Sequence, residues 1–291
     1  MAKRILLFVV TNIAIMVTLS IVLNLLGVPG YIRPGGGIDQ SALVVFSLVW
    51  GMGGAVISLL MSRAIAKWTL GVRLVDGRTG HADLDWLHAT VARLAQQANL
   101  PMPEVGCYES AEVNAFATGP SRRKSLVAVS AGLLRSMRRE EVEGVLAHEL
   151  SHIRNGDMVT MTLIQGVVNA FVLYLSRLIA SIVRNAADER NAYFLSFVVM
   201  IVLQIVLGLL GTIVVAWFSR AREFRADAGA AGLAGREKMI AALRRLQAST
   251  RLIDHNEPEL ATLKIAGGRA MMLFATHPPL EARIAALEQM H

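Results

Sequence analysis

His148-Glu149-Leu150-Ser151-His152 decides how this chain is read. On a helix, positions four apart lie on nearly the same face, so both imidazoles can reach one metal ion. Glu149 lies beside them, placed to act on a water held at that point. The run is the zinc-binding half of a metalloprotease site. The simpler alternative is a buried amphipathic helix that happens to carry two histidines.

The flanking residues support the first reading. Val142, Val145, Leu146, Leu150 and Ile153 form an apolar stripe at helical spacing, which predicts a helix from about Glu140 to Asn155. Glu140 and Glu141 favour its N-terminus electrostatically, and Asn155-Gly156 is a stop signal. A catalytic zinc site takes three protein ligands and keeps a position open. A third histidine in the extended motif is excluded, because Asn155 and Met158 occupy the required Gly and His positions. A carboxylate on a later helix is then needed. Arg222-Glu223-Phe224-Arg225-Ala226-Asp227 is the best source, since Glu223 and Asp227 are four apart. One can ligate while the other supports a ligand histidine. Glu237, Glu257, Glu259 and Glu281 are the competitors. An ion-pair network with Arg220, Arg222 and Arg225 is the competing account of both acids.

The chain has 291 residues, of which 54% are hydrophobic. Its mean hydropathy of +0.49 is too high for an ordinary water-soluble domain. Four segments are long enough to cross a bilayer: Ile5 to Val28, Ile38 to Met61, Met158 to Val183 and Tyr193 to Phe218. The second carries Gly51, Gly53 and Gly54, suited to close helix packing. The third is weaker, holding Gln165, Asn169 and Arg177, and reads as a span or a partly embedded helix. Lys3 and Arg4 precede the first without a cleavage site after it, so it reads as an uncleaved anchor. The expected fold is a mainly α membrane protein with four hydrophobic transmembrane helices and an α+β cytoplasmic domain with a small sheet. Its parts are residues 1–62 (two spans), 63–157 (edge strand and metal helix), 158–218 (two spans) and 219–291 (third ligand).

In a four-span arrangement Lys3, Arg4, Arg63, Lys67, Arg73, Arg154, Arg220, Arg222 and Arg225 fall on one side, which predicts that both soluble portions are cytoplasmic. One crossing between His152 and Glu223 would separate the ligands by a membrane; two return them to the same side. The net charge of +7 is explained by these membrane boundaries and by anionic lipids, so nucleic acid is not an expected partner. A lone Cys107 allows no disulfide within the chain and fits a reducing compartment.

Within the soluble portions, Trp86 to Asn99 has helical spacing with Asp83 or Asp85 as a cap. Val105 to Tyr108, Ala115 to Thr118 and Leu126 to Val129 read as short strands separated by Gly-Pro and basic turn residues. Asp157 reads as a helix N-cap. A helix continues through Ala234, another runs from Arg236 to Ala248, Asp254 to Gly268 reads as a loop, and a last helix begins after Pro278-Pro279.

Six motifs follow one another along the chain: Asn114-Ala115-Phe116-Ala117-Thr118-Gly119, Ser125 to Ser130, Ala147 to His152, Asn155-Gly156-Asp157-Met158, Arg222 to Asp227, and Thr276-His277-Pro278-Pro279. This set, with the hydrophobic segments, resembles the membrane-bound zinc endopeptidases of the Ste24-like (M48) family over nearly the whole chain. The resemblance implies a zincin-type catalytic domain holding one Zn2+, in a protease of the bacterial cytoplasmic (inner) membrane. It implies His148, His152 and Glu223 as zinc ligands and Glu149 as the catalytic residue. Asn114, Ala115, Phe116 and Ala117 would belong to an edge strand that pairs with extended substrate, with Asp227 supporting a ligand and His277 stabilising an oxyanion. Unfolded or damaged membrane proteins would be the substrates, under stress, with self-cleavage possible. A zinc-stabilised scaffold that binds misfolded proteins without cutting them keeps the ligands and makes Glu149 dispensable. A transporter or lipid enzyme with an incidental motif requires substrate-linked polar residues in the spans, where Asn24, Gln165, Asn169 and Arg177 are found.

Overall fold

The structure is a computed structural model that describes residues 2–28, 30–33, 37–188, 190–256 and 275–290. The elements in chain order are α1 (Ala2–Leu25), α2 (Gln40–Leu70), β1 (Arg73–Leu74), α3 (Ala82–Gln97), β2 (Glu104–Tyr108), β3 (Ala115–Ser121), β4 (Lys124–Ser130), α4 (Ala131–Ser136), α5 (Arg139–Asn155), α6 (Asp157–Ala186), α7 (Ala192–Ala234), α8 (Arg236–Asn256) and α9 (Leu280–Glu288). They form two compact units, Met1–Leu59 with Met161–Val215, and Leu60–Thr160 with Ala216–His291.

The first unit is helical and apolar. Three helices, α2, α6 and α7, are long and apolar enough to cross a membrane, and α1 adds the shorter apolar stretch Ile13–Leu25. The weaker third segment is thus one continuous helix of 30 residues. Gly51 lies against the Ala170 backbone, so closely that a side chain there would collide with it. Close packing was the expectation for Gly51, and Gly53 likewise meets Leu19, but Gly54 faces open space. Phe194, Val202, Leu209 and Trp217 of α7 are all more than half exposed, which water would penalise and hydrocarbon does not. At 43 residues, α7 is roughly 65 Å long, about twice the ~30 Å thickness of a bilayer core. Its polar end, beyond Phe218, therefore belongs to the second unit.

The second unit contains a four-stranded sheet in the order β1-β2-β4-β3. The β2–β4 pair is parallel and the β3–β4 pair antiparallel, with Ala115 opposite Val129 and Thr118 opposite Leu126. Of the Gly-Pro and basic residues expected as turns, Gly119-Pro120 stays within β3 at a register shift, and the reversal falls on the basic pair Arg122-Arg123. β3 is an edge: among the described residues its outer side pairs with no strand. Val91 and Leu94 of α3, Val127 and Val129 of β4, Leu146 and Leu150 of α5, Leu243 of α8 and Leu287 of α9 share one buried core. Gly144 lets α5 approach α8, where a Cβ would stand 2.6 Å from the Lys238 carbonyl oxygen.

Local boundaries depart from the sequence reading in two places. α3 begins earlier than expected, after His81, so Asp83 and Asp85 lie inside its first turn. Asp85 accepts hydrogen bonds from the Thr79 N–H at 2.8 Å and its hydroxyl at 2.9 Å. The helix after Arg236 continues to Asn256, and the rest of the expected loop, 257–268, lies outside the described residues.

Candidate active site

α5 carries the motif and is built to hold it still. Glu141 accepts a hydrogen bond from the Arg138 backbone N–H at 2.7 Å, half of a capping box. At the other end Gly156 adopts φ 70°, ψ 28°, and its N–H bonds to the His152 and Ile153 carbonyls. That left-handed turn suits glycine. It also starts α6 at once, so that Asp157 comes back beside His152.

His148 and His152 are both buried, and their Nε2 atoms lie 3.0 Å apart. Glu223, on the polar end of α7, is 1% exposed and faces both. Its Oε2 is 3.5 Å from His148 Nε2 and its Oε1 is 3.4 Å from His152 Nε2. Three vertices of a tetrahedron with ~2.0–2.1 Å bonds stand about 3.3 Å apart. The donor set therefore fits a small divalent ion, and these three residues can hold one between them.

Each imidazole is fixed from behind. His148 Nδ1 lies 2.9 Å from Asp227 Oδ1, and His152 Nδ1 lies 2.6 Å from Asp157 Oδ2. An Nδ1–H donated to a carboxylate leaves the Nε2 lone pair directed at the common point. Asp227 is in turn gripped by Arg283 of α9, through Nε at 2.7 Å and Nη2 at 2.6 Å. Buried here are three carboxylates and one guanidinium (Glu223, Asp227, Asp157 and Arg283), a surplus of two negative charges. Arg222, at the rim, approaches Glu223 at 3.0 Å.

The field of these acids draws positive charge into the cluster. Burial opposes protonation of His148, but the bonds to Asp227 and Glu223 outweigh it and raise the imidazole to about 9. Burial is likewise overcome at His152, which Asp157 and Glu223 push upward. A dication in place of those protons would neutralise the same surplus.

The remaining expected residues divide. A cavity of 140 Å³ is lined by Glu149, His148, His277, Arg283, Asn114 and Ala115, with Val145, Leu243 and Leu246 among its apolar walls. It brings the start of the edge strand, the motif glutamate and the segment before α9 to one place. His277 Nδ1 lies 3.0 Å from Glu223 Oε2. Asn114 is held by Ser130, whose hydroxyl accepts from the Asn114 N–H at 3.1 Å and donates to the Glu112 carbonyl at 2.6 Å. Phe116 and Ala117 do not line the cavity; Phe116 packs on Tyr108 and Ala117 on the core. Two contributors went unread in the sequence. Asp157, expected as a cap, directs its carboxylate to His152, and Arg283 grips Asp227. The second had a signal: it stands where the stripe Leu280, Ile284, Leu287 of α9 calls for an apolar residue.

Two buried histidines, a buried glutamate and a second glutamate in the adjoining cavity, carried by a chain with membrane-length helices, define a membrane metalloprotease. The sequence pattern of peptidase family M48 matches residues 81–291. A protease HtpX homolog of Verminephrobacter eiseniae is 54% identical over 295 residues, covering 99% of both chains. One from Bacillus subtilis is 51% identical over 296 residues, again covering 99% of each. The crystal structure of S. mikatae Ste24p superposes with a TM-score of 0.63 at 16% identity, over 99% of this chain and 66% of that one. The chain belongs to peptidase family M48, with the HtpX-type proteases.

Proposed function

We propose that the chain is a zinc endopeptidase of the bacterial cytoplasmic membrane, with its site facing the cytoplasm, that cuts misfolded or damaged membrane proteins. The observation that carries this is the meeting of the His148, His152 and Glu223 donor atoms beside a cavity lined by His148, Glu149 and the start of β3. Two imidazoles and a carboxylate are a donor set that suits zinc. When bound, zinc supplies a Lewis acid that acidifies water and polarises a carbonyl.

The protein's own groups do the rest. Glu149 takes a proton from the attacking water as the new C–O bond forms, then delivers it to the departing amine as the C–N bond breaks. Asp227 and Asp157 hold the two imidazoles in their ligating tautomer. His277 lines the cavity and donates to the developing oxyanion. The open side of β3 offers backbone donors and acceptors to an extended segment, with Asn114 and Ala115 nearest the reacting bond and Phe116 and Ala117 continuing the pairing. Pairing through backbone groups suits substrates defined by being unfolded rather than by sequence. The same chemistry allows the enzyme to cut itself.

The test is cleavage of an unfolded protein by detergent-purified enzyme, stripped with chelator and then given zinc, beside Glu149→Gln. Wild type should recover activity with zinc, and the variant should be slower by about a thousandfold while binding zinc as well as wild type. Equal rates would remove Glu149 from its role. Stoichiometric zinc without cleavage in either would favour a scaffold that binds and does not cut.

A further inference from the structure

We propose that the apolar unit holds a binding site for the phosphodiester of an anionic phospholipid, centred on Arg177. A cavity of 220 Å³ there is lined by Tyr31, Arg177, Ser181, Arg184, Tyr193 and Ser196, together with apolar residues. Arg177 and Arg184 are seven residues apart on α6, two turns, so they share a face. Nothing in the proteolytic chemistry uses them.

The partners of Arg177 are all neutral. Its Nε donates to the Tyr31 hydroxyl at 3.1 Å and its Nη1 to the Leu173 carbonyl at 3.4 Å, while its guanidinium lies 5.4 Å from the Phe46 ring. Among the described residues no carboxylate pairs with it. Asp39, in the stretch that carries Tyr31, is engaged by Arg33 at 3.1 Å, by the Ser41 hydroxyl and by the Ala42 N–H at 3.0 Å. A guanidinium within a hydrophobic layer is costly without an anion. A phosphodiester matches its fork of donors.

Depth and lining both indicate a lipid. Arg177 lies sixteen residues after α6 enters the apolar unit at Met161, roughly 24 Å along the axis and so about 6 Å short of the far edge of a ~30 Å hydrocarbon core. Its long side chain can reach from there to the headgroup level. Arg184 lies over the Tyr193 ring at 5.8 Å, an aromatic of the kind found at membrane surfaces. Ile32, Ile38, Phe197 and Met200 form the apolar part of the lining, and Phe194 and Phe197 are more than half exposed beside it, a surface for acyl chains. Among the described residues the lining contains no acidic one, so the ammonium of a zwitterionic headgroup finds no partner among them. The Ser181 and Ser196 oxygens can accept from a glycerol hydroxyl.

The experiment is native mass spectrometry of the detergent-purified full chain, titrated with dioleoyl phosphatidylglycerol, dioleoyl phosphatidylcholine or glycerol 3-phosphate. Wild type should retain one phosphatidylglycerol in preference to phosphatidylcholine, and glycerol 3-phosphate alone should not compete it off at equal concentration. Arg177→Gln should bind phosphatidylglycerol about tenfold more weakly, and Arg177→Lys should lose less. Arg184→Gln is the second probe if Arg177→Gln does not fold, and it too should weaken binding. Equal retention of the two lipids, unaltered binding in the variants that fold, or equal competition by glycerol 3-phosphate (a free-anion site) would each overturn the proposal.

Discussion

α5 and the polar end of α7 each bring two acids or bases to one metal-binding cluster, yet they are held there by different means. α5 is self-sufficient: a backbone cap at Arg138, a left-handed stop at Gly156, and burial along most of its length. Its second histidine finds its carboxylate five residues away at Asp157. α7 is an apolar helix that becomes polar near its end, and Glu223 and Asp227 are kept in place from outside. Arg283, 56 residues beyond Asp227, grips that aspartate from α9. One half of the site is thus local and the other borrowed, and substitutions should separate them.

The largest effect is expected at Arg283. Removing its charge with Arg283→Leu leaves Asp227 buried with His148 as its remaining partner, a loss of about 3–5 kcal/mol for a broken buried pair. The thermal midpoint in detergent should fall accordingly. If it does not move, α7 is not held by α9 and the contrast fails. Next come the two supporting aspartates. Asp157→Asn and Asp227→Asn should each weaken zinc binding by about 10–100-fold, measured by competition with a chromophoric chelator. Adding Arg283→Leu to each then sharpens the comparison, because its effect should overlap with Asp227→Asn and add to Asp157→Asn.

The smallest effect concerns how α5 is tied to its neighbours. Glu143 bridges Arg93 of α3 at 2.8 Å and Lys238 of α8 at 2.9 Å. Burial works against its charge, but those two partners outweigh it and hold the carboxyl below its usual range. A depressed carboxyl stabilises the folded state fully above its unfolded pKa of about 4.3 and loses that contribution as pH falls through the folded value. Glu143→Gln should therefore cost on the order of 1 kcal/mol at pH 7, and the difference from wild type should shrink below pH ~4. A gap that persists unchanged in acid would mean that packing, not charge, is what the substitution removed.

The same contrast explains what could be read from the sequence. His148, Glu149 and His152 follow from helical spacing alone. Glu223 needed a second argument, that two crossings return the chain to the same side, because the number of residues between motif and ligand carries no geometry. Arg283 was missed because its partner is distant and an arginine in a short helix ordinarily faces water. Asp157 was misread because the residue opening a helix is ordinarily its cap. Here the sharp turn at Gly156 folds it back onto the preceding helix. Among the strands, the positions of β2, β3 and β4 follow from patterning, but their pairing and the two-residue β1 do not; Gly119-Pro120 has the composition of a turn and occupies a register shift, two outcomes that local sequence does not distinguish.

The most direct test of the account is the zinc content of the purified protein after reconstitution, compared between wild type, Glu149→Gln and Glu223→Gln. Close to one zinc per chain in the first two, with little retained by Glu223→Gln, is the expected result. It would show that α7 completes the site opened by α5 and that Glu149 acts beside the metal rather than on it. Full zinc retention by Glu223→Gln would contradict the account, because the third ligand would then have to come from elsewhere in the chain.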